Sequence, residues 1–288
     1  MQDKLFTIIL FLLCACIVAA IIYPLYFIII ASVSDSNAVA AGKVILLPKN
    51  VSFFGYQKIF EDSRISTGYR NTIIYSIGGT LASLIVTLPV AYAMAQKEFW
   101  GKGIVMIFFT ITMFFSGGLI PTYLLYKDLN LIDNMWVFII PGAMNVYNMI
   151  IARTFFANSI PRSLYEAAAL DGCSHFGFFI KFALPLSKAI IAVLFLYCFV
   201  GKWNDFMTGL VYIQDADKQP LQLVLRDILI ANNAFTGGSA QLGGGYAQKY
   251  ADQIKYGVII VSTLPLLVIY PFLQKYFEKG VMIGSLKG

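Results

Sequence analysis

Charge is scarce in this chain. Asp, Glu, Lys and Arg make up only 12% of its 288 residues, against roughly 25% in an ordinary soluble domain. A soluble protein of this length could bury a good core, but it would need a charged exterior, and the residues to build one are missing. Histidine occurs once, at His175, and cysteine four times, at Cys14, Cys16, Cys173 and Cys198. Two of the cysteines lie in the first apolar block, one in a polar loop and one in a later apolar block. That scatter excludes a disulfide framework and a zinc site. The cysteines read as small apolar or incidental residues, and His175 as a surface or packing residue. A phosphate-binding G-x-x-x-x-G-K-[ST] loop is also missing: the Gly-Lys pairs at Gly42, Gly101 and Gly201 run on into Val44, Gly103 and Trp203. The chain should therefore not hydrolyse ATP itself. We find no catalytic constellation, no metal-ligand set and no cofactor motif. The net charge is +6, yet the basic residues are spread out, with no run that would mark a nucleic-acid surface.

What is abundant is apolar sequence, 59% of the chain, and it falls in long blocks. A spanning helix needs about 20 mostly apolar residues. Six segments qualify, roughly Leu5–Ala31, Asn71–Ala95, Ile104–Ile120, Trp136–Ala152, Phe182–Val200 and Tyr256–Leu273. The expectation is an all-α membrane protein with six transmembrane helices. The first run is too long for a signal-peptide core and has no clear small-residue cleavage site, so it reads as a spanning helix. Pro24, Pro89, Pro141, Pro185 and Pro265 lie in or near the spans, where neighbouring helices can re-satisfy freed backbone groups. We divide the chain into 1–70, the first helix and an outer loop, and 71–288, a five-helix core. The core carries an inner loop at about 153–185, an outer loop at about 201–255 and a tail at 274–288.

Six spans put both termini on one side. Lys and Arg split almost evenly between the two sides, but the outer loops are far longer in total, and long loops translocate largely regardless of charge. The density of basic residues therefore puts both termini in the cytoplasm. Acidic residues are also fewer on that side. Asp, Glu and Arg are missing from the span interiors, which argues against a proton- or sodium-coupled carrier. Lys188, near the inner end of the fifth span, can snorkel to the interface. The glycine-rich stretch Thr236–Gly245, with Gly237, Gly238, Gly243, Gly244 and Gly245, reads either as a slack connector or as a flexible finger for a ligand or partner.

The most informative segment is NSIPRSLYEAAALDGCSHFGFFIKFALP, residues 158–185. Pro161 suits a first helical position. A helix should follow from Ser163 to Leu170, with Glu166 early in it. Gly172 is placed to end that helix in a left-handed cap. Ser174 can N-cap a second short helix. The result is two short helices at a sharp angle, and the small side chains of Ala167, Ala168 and Ala169 would let another protein come close.

These residues carry a resemblance. Glu166-Ala167-Ala168, Gly172, Phe182 and Leu184-Pro185 match the EAA loop of ABC importer permeases at every spacing, with Phe182 where that pattern has Ile. The resemblance implies a type I ABC importer permease fold. It also implies that this loop sits in a cleft of a separate ATP-hydrolysing subunit, with Glu166 in the cleft, Ala167 and Ala168 permitting contact, and Gly172 setting the turn. The C-terminal segment Gln274-Lys275-Tyr276-Phe277-Glu278-Lys279-Gly280 is similar to the tail of carbohydrate permeases of the second maltose-permease-subunit type. That similarity implies a further ATPase contact through Lys275, Lys279 and Gly280. Ser116–Tyr123 and Lys202–Phe206 look closest to the branch that serves alginate and rhamnogalacturonan oligosaccharides.

Taken with the family, the sequence is expected to encode a non-catalytic importer subunit for oligosaccharides in the cytoplasmic membrane. Its implied partners are a second, distinct permease subunit, a homodimeric cytoplasmic ATPase that holds the ATP and magnesium, and an extracytoplasmic solute-binding protein. The glycines of 237–245 would reach that binding protein. Tyr123, Tyr147, Trp203 and Asn204, near the outer ends of spans, could stack on sugar faces or bond hydroxyls; for each, packing is the competing explanation. The alternatives are a secondary transporter without an ATPase, against which the EAA loop and the missing span charges count, and a membrane scaffold with no solute pathway, which would not demand an ATPase bound through Glu166 and its loop.

Overall fold

The computed structural model describes the backbone of residues 2–236 and 246–285, with side chains described for 4–230, 253–271 and 274. Every regular element among the described residues is helical. The chain forms two compact units, Met1–Ser66 with Val224–Pro265, and Thr67–Leu223 with Leu266–Gly288.

In the first unit the helix Gln2–Ser32 is apolar on every side, and none of its most apolar stretch is buried. Such a helix belongs in lipid or against other membrane chains. Beyond it the chain folds back through a short helix, Ser36–Ala40, N-capped by the Asp35 carboxylate. The fully buried Gln253 ties this loop down, donating from Nε2 to the Ser34 carbonyl at 2.7 Å. A Cβ on Gly55 would stand 2.8 Å from that of Gln253, so glycine is what lets these segments touch.

The second unit is built around the helix Ser63–Ala95, which contributes all but its first residues to it. One face carries Asn71, Thr72, Ser76, Thr80, Ser83 and Thr87, all buried. From Thr72 onward their spacing by three and four residues makes a stripe of small polar side chains. In a membrane such a stripe lets helices approach closely, because packing rather than the hydrophobic effect holds them together. Ser83 accepts from Cys198 and Thr72 from the backbone of Leu221, which joins the stripe to the later helices. Towards the C-terminal end of this helix lies a core, at the end expected to be inner, in which Leu88, Ala91, Tyr92 and Met94 pack with Met149, Phe156, Phe178, Phe179 and Leu194.

The expected six spans are not each a single unbroken helix. Among the described residues, three helices are each long and apolar enough to cross a membrane, Lys4–Ser32, Ser63–Ala95 and Gln253–Pro271. Two bent pairs raise the number to five if each pair counts as one span. The third segment stops at Phe114 and turns by 111° into Leu119–Asp128, around Gly118 in the left-handed region. The fifth bends by 81° at Ser187. The fourth is interrupted: Trp136–Ile139 is one turn, and the next helix starts at Val146. Pro141 has no N–H to continue the ladder. The break is held by Lys202, whose ammonium donates to the Phe138 carbonyl at the end of that turn. A Cβ on Gly142 would lie 2.5 Å from this ammonium, so a larger residue there would have to push the lysine aside.

Candidate functional site

The inner loop folds as one small packed body. Its first helix is Arg162–Leu170, with Pro161 one position earlier than the sequence suggests, as its N-cap. The helix ends in two linked bonds: Cys173 N–H donates to Ala168 O at 2.9 Å, and Gly172 N–H to Ala169 O at 3.0 Å. This is a Schellman cap, and it requires the left-handed residue that Gly172 supplies at φ +75°. Ser174 then caps the helix His175–Phe178 by accepting from Gly177 N–H at 3.1 Å. Both caps lie where the sequence puts them.

A π-helical turn follows at Phe179–Ala183 and runs into Leu184-Pro185. Pro185 clashes with the carbonyl four residues back in a regular helix. The wider turn, which contains that residue, Lys181, relieves the clash. Phe182 and Leu184 are half-buried and pack against the inner core, while Pro185 is exposed.

The two faces of this body differ. Ala168 is 7% exposed and belongs to the inner core with Phe178 and Phe179. Ala167 and Ala169 are exposed beside it, and Leu170 is 90% exposed. Of the Ala167-Ala168 pair only Ala167 faces outward; Ala168 roots the helix in the bundle. Tyr165 stacks on His175 with centroids 4.9 Å apart, and its hydroxyl lies 2.9 Å from Nε2. Phe178 meets the same tyrosine edge-on at 5.3 Å. His175 is thus a packing residue that fixes the angle between the two short helices.

Sequence reasoning missed one participant. Arg162 bonds Glu166 through Nε at 2.9 Å and Glu98 through its terminal nitrogen at 2.9 Å. The Glu166 partner sits at i+4 and was readable, but Glu98 comes from the preceding inner loop, and no local pattern points to it. The Glu98 carboxyl is held below its ordinary range, first by its own backbone N–H and then by the charge of Arg162. Glu166 is exposed, with its carboxylate engaged by Arg162.

The proposed sugar-facing residues are not gathered into one place. Trp203 is 1% exposed, packed between Tyr69 and Phe199. Tyr123 is half-buried and stacks on Tyr212 at 6.0 Å. Asn204 caps its helix, donating to the Val200 carbonyl at 2.9 Å, and Tyr147 is exposed. Gly237, Gly238, Gly243, Gly244 and Gly245 lie outside the described residues. Lys275, Lys279 and Gly280 fall on the 40-residue helix Tyr246–Ser285, so the helix of the last span runs on through most of the expected tail; their side chains are not among those described.

Residues 65–283 match the family described as the inner membrane component of binding-protein-dependent transport systems. The chain belongs to that family. It is 36% identical over 288 residues to the polygalacturonan/rhamnogalacturonan transport system permease protein YtcP of Bacillus subtilis (strain 168), with all of both chains covered. It is 40% identical over 272 residues to the Protein LplC of the same organism, covering 94% of this chain and 90% of that one. A chain in the crystal structure of a bacterial ABC transporter involved in the import of the acidic polysaccharide alginate superposes with a TM-score of 0.85. That chain is 32% identical, and the match covers 96% of this chain and 98% of that one. This inner membrane component is therefore an all-helical, multi-pass, non-catalytic permease of the ABC importer type, with the type I fold.

Proposed function

We propose that this permease is one half of the membrane channel of an oligosaccharide importer. It pairs with a second, distinct permease, and a homodimeric ATPase drives it from the cytoplasm. ATP and magnesium are bound in that ATPase and not in this chain. An extracytoplasmic binding protein delivers the sugar, and both termini of this chain are cytoplasmic. The relatives named for polygalacturonan/rhamnogalacturonan and for alginate point to oligosaccharides that contain acidic sugars.

One observation carries this reading. The Arg162–Leu170 helix presents Ala167, Ala169 and Leu170 outward while Ala168 and the following Phe178 and Phe179 root it in the inner core. Force applied to the exposed face by a closing ATPase reaches the spans through packed side chains, without slack. That is a rigid joint suited to alternating access. Purified with its partners and reconstituted, the importer should hydrolyse ATP faster when the binding protein is loaded with an acidic oligosaccharide. Glu166→Ala should lower that stimulated rate in an intact, membrane-inserted complex. An unchanged rate would remove the coupling role from this loop. No stimulation by acidic, with stimulation by neutral, oligosaccharides would overturn the substrate class alone.

A further inference from the structure

The segment between Gly42 and Asn50 has an unusual composition for a loop. Ile45, Leu46 and Leu47 are exposed at 58%, 64% and 72%. Three adjacent apolar side chains facing outward from irregular backbone are costly in water. They are fixed in place nonetheless. Val44 before them is buried against Ile30 and Ala38. Lys49 behind them is pinned on both sides, its N–H donating to Ser34 Oγ at 3.2 Å and its carbonyl accepting from Asp35 N–H at 3.0 Å.

Two tyrosines set the depth of this segment. Tyr23 donates its hydroxyl to the Ile45 carbonyl at 3.3 Å, and Tyr26 donates to the Leu46 carbonyl. Both come from the apolar first helix. Counted from Leu5, the first residue past the charged end, they lie about 27–32 Å along its axis at 1.5 Å per residue, one hydrocarbon thickness away. Tyrosine at that level marks the membrane–water interface. The carbonyls of Ile45 and Leu46 are thus bonded by the chain itself. The N–H groups of Ile45, Leu46 and Leu47 have no partner among the described residues and are open to one from outside them.

Lysine flanks the tripeptide at both ends. Lys43 and Lys49 form no ion pair among the described residues, and both line a cavity of about 320 Å³ with Asp35, Asn37, Ala38 and Asn50. Asp35 is the one carboxylate there, and its Oδ2 already accepts from Ala38 N–H. Two cations against one engaged carboxylate leave the cavity positive. Its amides offer further donors, and Asp35 keeps an oxygen for a hydroxyl.

From this arrangement we infer a phospholipid site. The phosphodiester of an anionic, hydroxyl-bearing lipid such as phosphatidylglycerol lies between Lys43 and Lys49. Its headgroup hydroxyls face Asp35 and Asn37, and its acyl chains run along Ile45, Leu46 and Leu47. The site anchors the loop that follows the first helix.

The test uses the complete importer in detergent, titrated with phosphatidylglycerol and read by native mass spectrometry. The Lys43→Gln, Lys49→Gln double variant should weaken lipid retention about 30-fold, from two lysines each acting on an anionic surface. Lys58→Gln, at an exposed lysine already paired with Glu61, should leave retention unchanged. Equal retention by the double variant would overturn the site. Displacement of the lipid by excess inorganic phosphate would mean an anion site without acyl contacts, and would also overturn it. A Leu46→Trp variant in liposomes adds an independent reading. Its added fluorescence should be quenched by lipids brominated on the acyl chain; absence of quenching would mean that water or the partner permease covers this segment instead.

Discussion

Gly172 offers the sharpest test of how the inner loop is built. Its φ is +75°, and a Cβ placed on it would meet nothing within 4 Å. Alanine there therefore adds no clash. Its whole cost is that of holding an L-residue in the left-handed region, about 1–2 kcal/mol. That shifts the local balance between capped and uncapped loop by roughly 5- to 30-fold. Asparagine tolerates this region better, so Gly172→Asn should fall between glycine and alanine. Proline cannot reach the conformation and also lacks the N–H that donates to Ala169 O at 3.0 Å, so Gly172→Pro should cost most, about 3 kcal/mol or more. The assay is sugar-stimulated ATP hydrolysis by the reconstituted importer, beside hydrogen exchange over 162–178. The expected order is Gly, Asn, Ala, Pro for both. Wild-type behaviour of Gly172→Pro, or an asparagine variant worse than alanine, would mean that the left-handed cap does not hold the loop.

Other outcomes follow from the same geometry. Arg162, Glu98 and Glu166 are all about half exposed, so breaking either pair should change thermal stability by less than about 1 kcal/mol; a double-mutant cycle on Arg162 and Glu98 checks this. Lys202→Met leaves the Phe138 carbonyl without its donor and should destabilise the detergent-solubilised chain by about 1–3 kcal/mol. Gly142→Ala should also destabilise it, and should cost less when Lys202 is alanine, as thermal unfolding of the double variant would show. Asp133 is held below the ordinary carboxylate range, first by the Asp215 N–H, then by the Gln214 N–H and Lys218. Its contribution is therefore fully present above the unfolded pKa of about 3.9 and is lost as pH falls through the lower folded value. Hydrogen exchange at Gln214–Lys218 should accelerate in that acid window, and Asp133→Asn should abolish the change.

Local chemistry was the legible part of this fold. Gly172 and Ser174 announce their caps because the bonds they make lie within five residues. Glu98 reaches Arg162 across 64 residues, and no periodicity encodes that distance. The spans were readable as apolar blocks, but their bends were not. A hydropathy window passes smoothly over Ser116-Gly117-Gly118 because apolar residues stand on both sides, although Gly118 turns the chain there. Lys202 falls at the start of the expected outer loop, 201–255. Its burial depends on Gly79 and Gly142 leaving room for it, a fit visible only when three distant segments meet. The outward and inward faces of Ala167 and Ala168 likewise follow from the core beneath them, since the helix itself offers alanine on both sides.

The proposed docking face for the ATPase is the outward side of Arg162–Leu170. Single cysteines at Ala167, Ala168 and Leu170, in a background with Cys14, Cys16, Cys173 and Cys198 replaced, can be tested for cross-linking to the ATPase in the assembled importer. Strong cross-links are expected from positions 167 and 170 and few from the buried 168. No cross-link from 167 or 170, with the complex intact and active, would contradict that docking face.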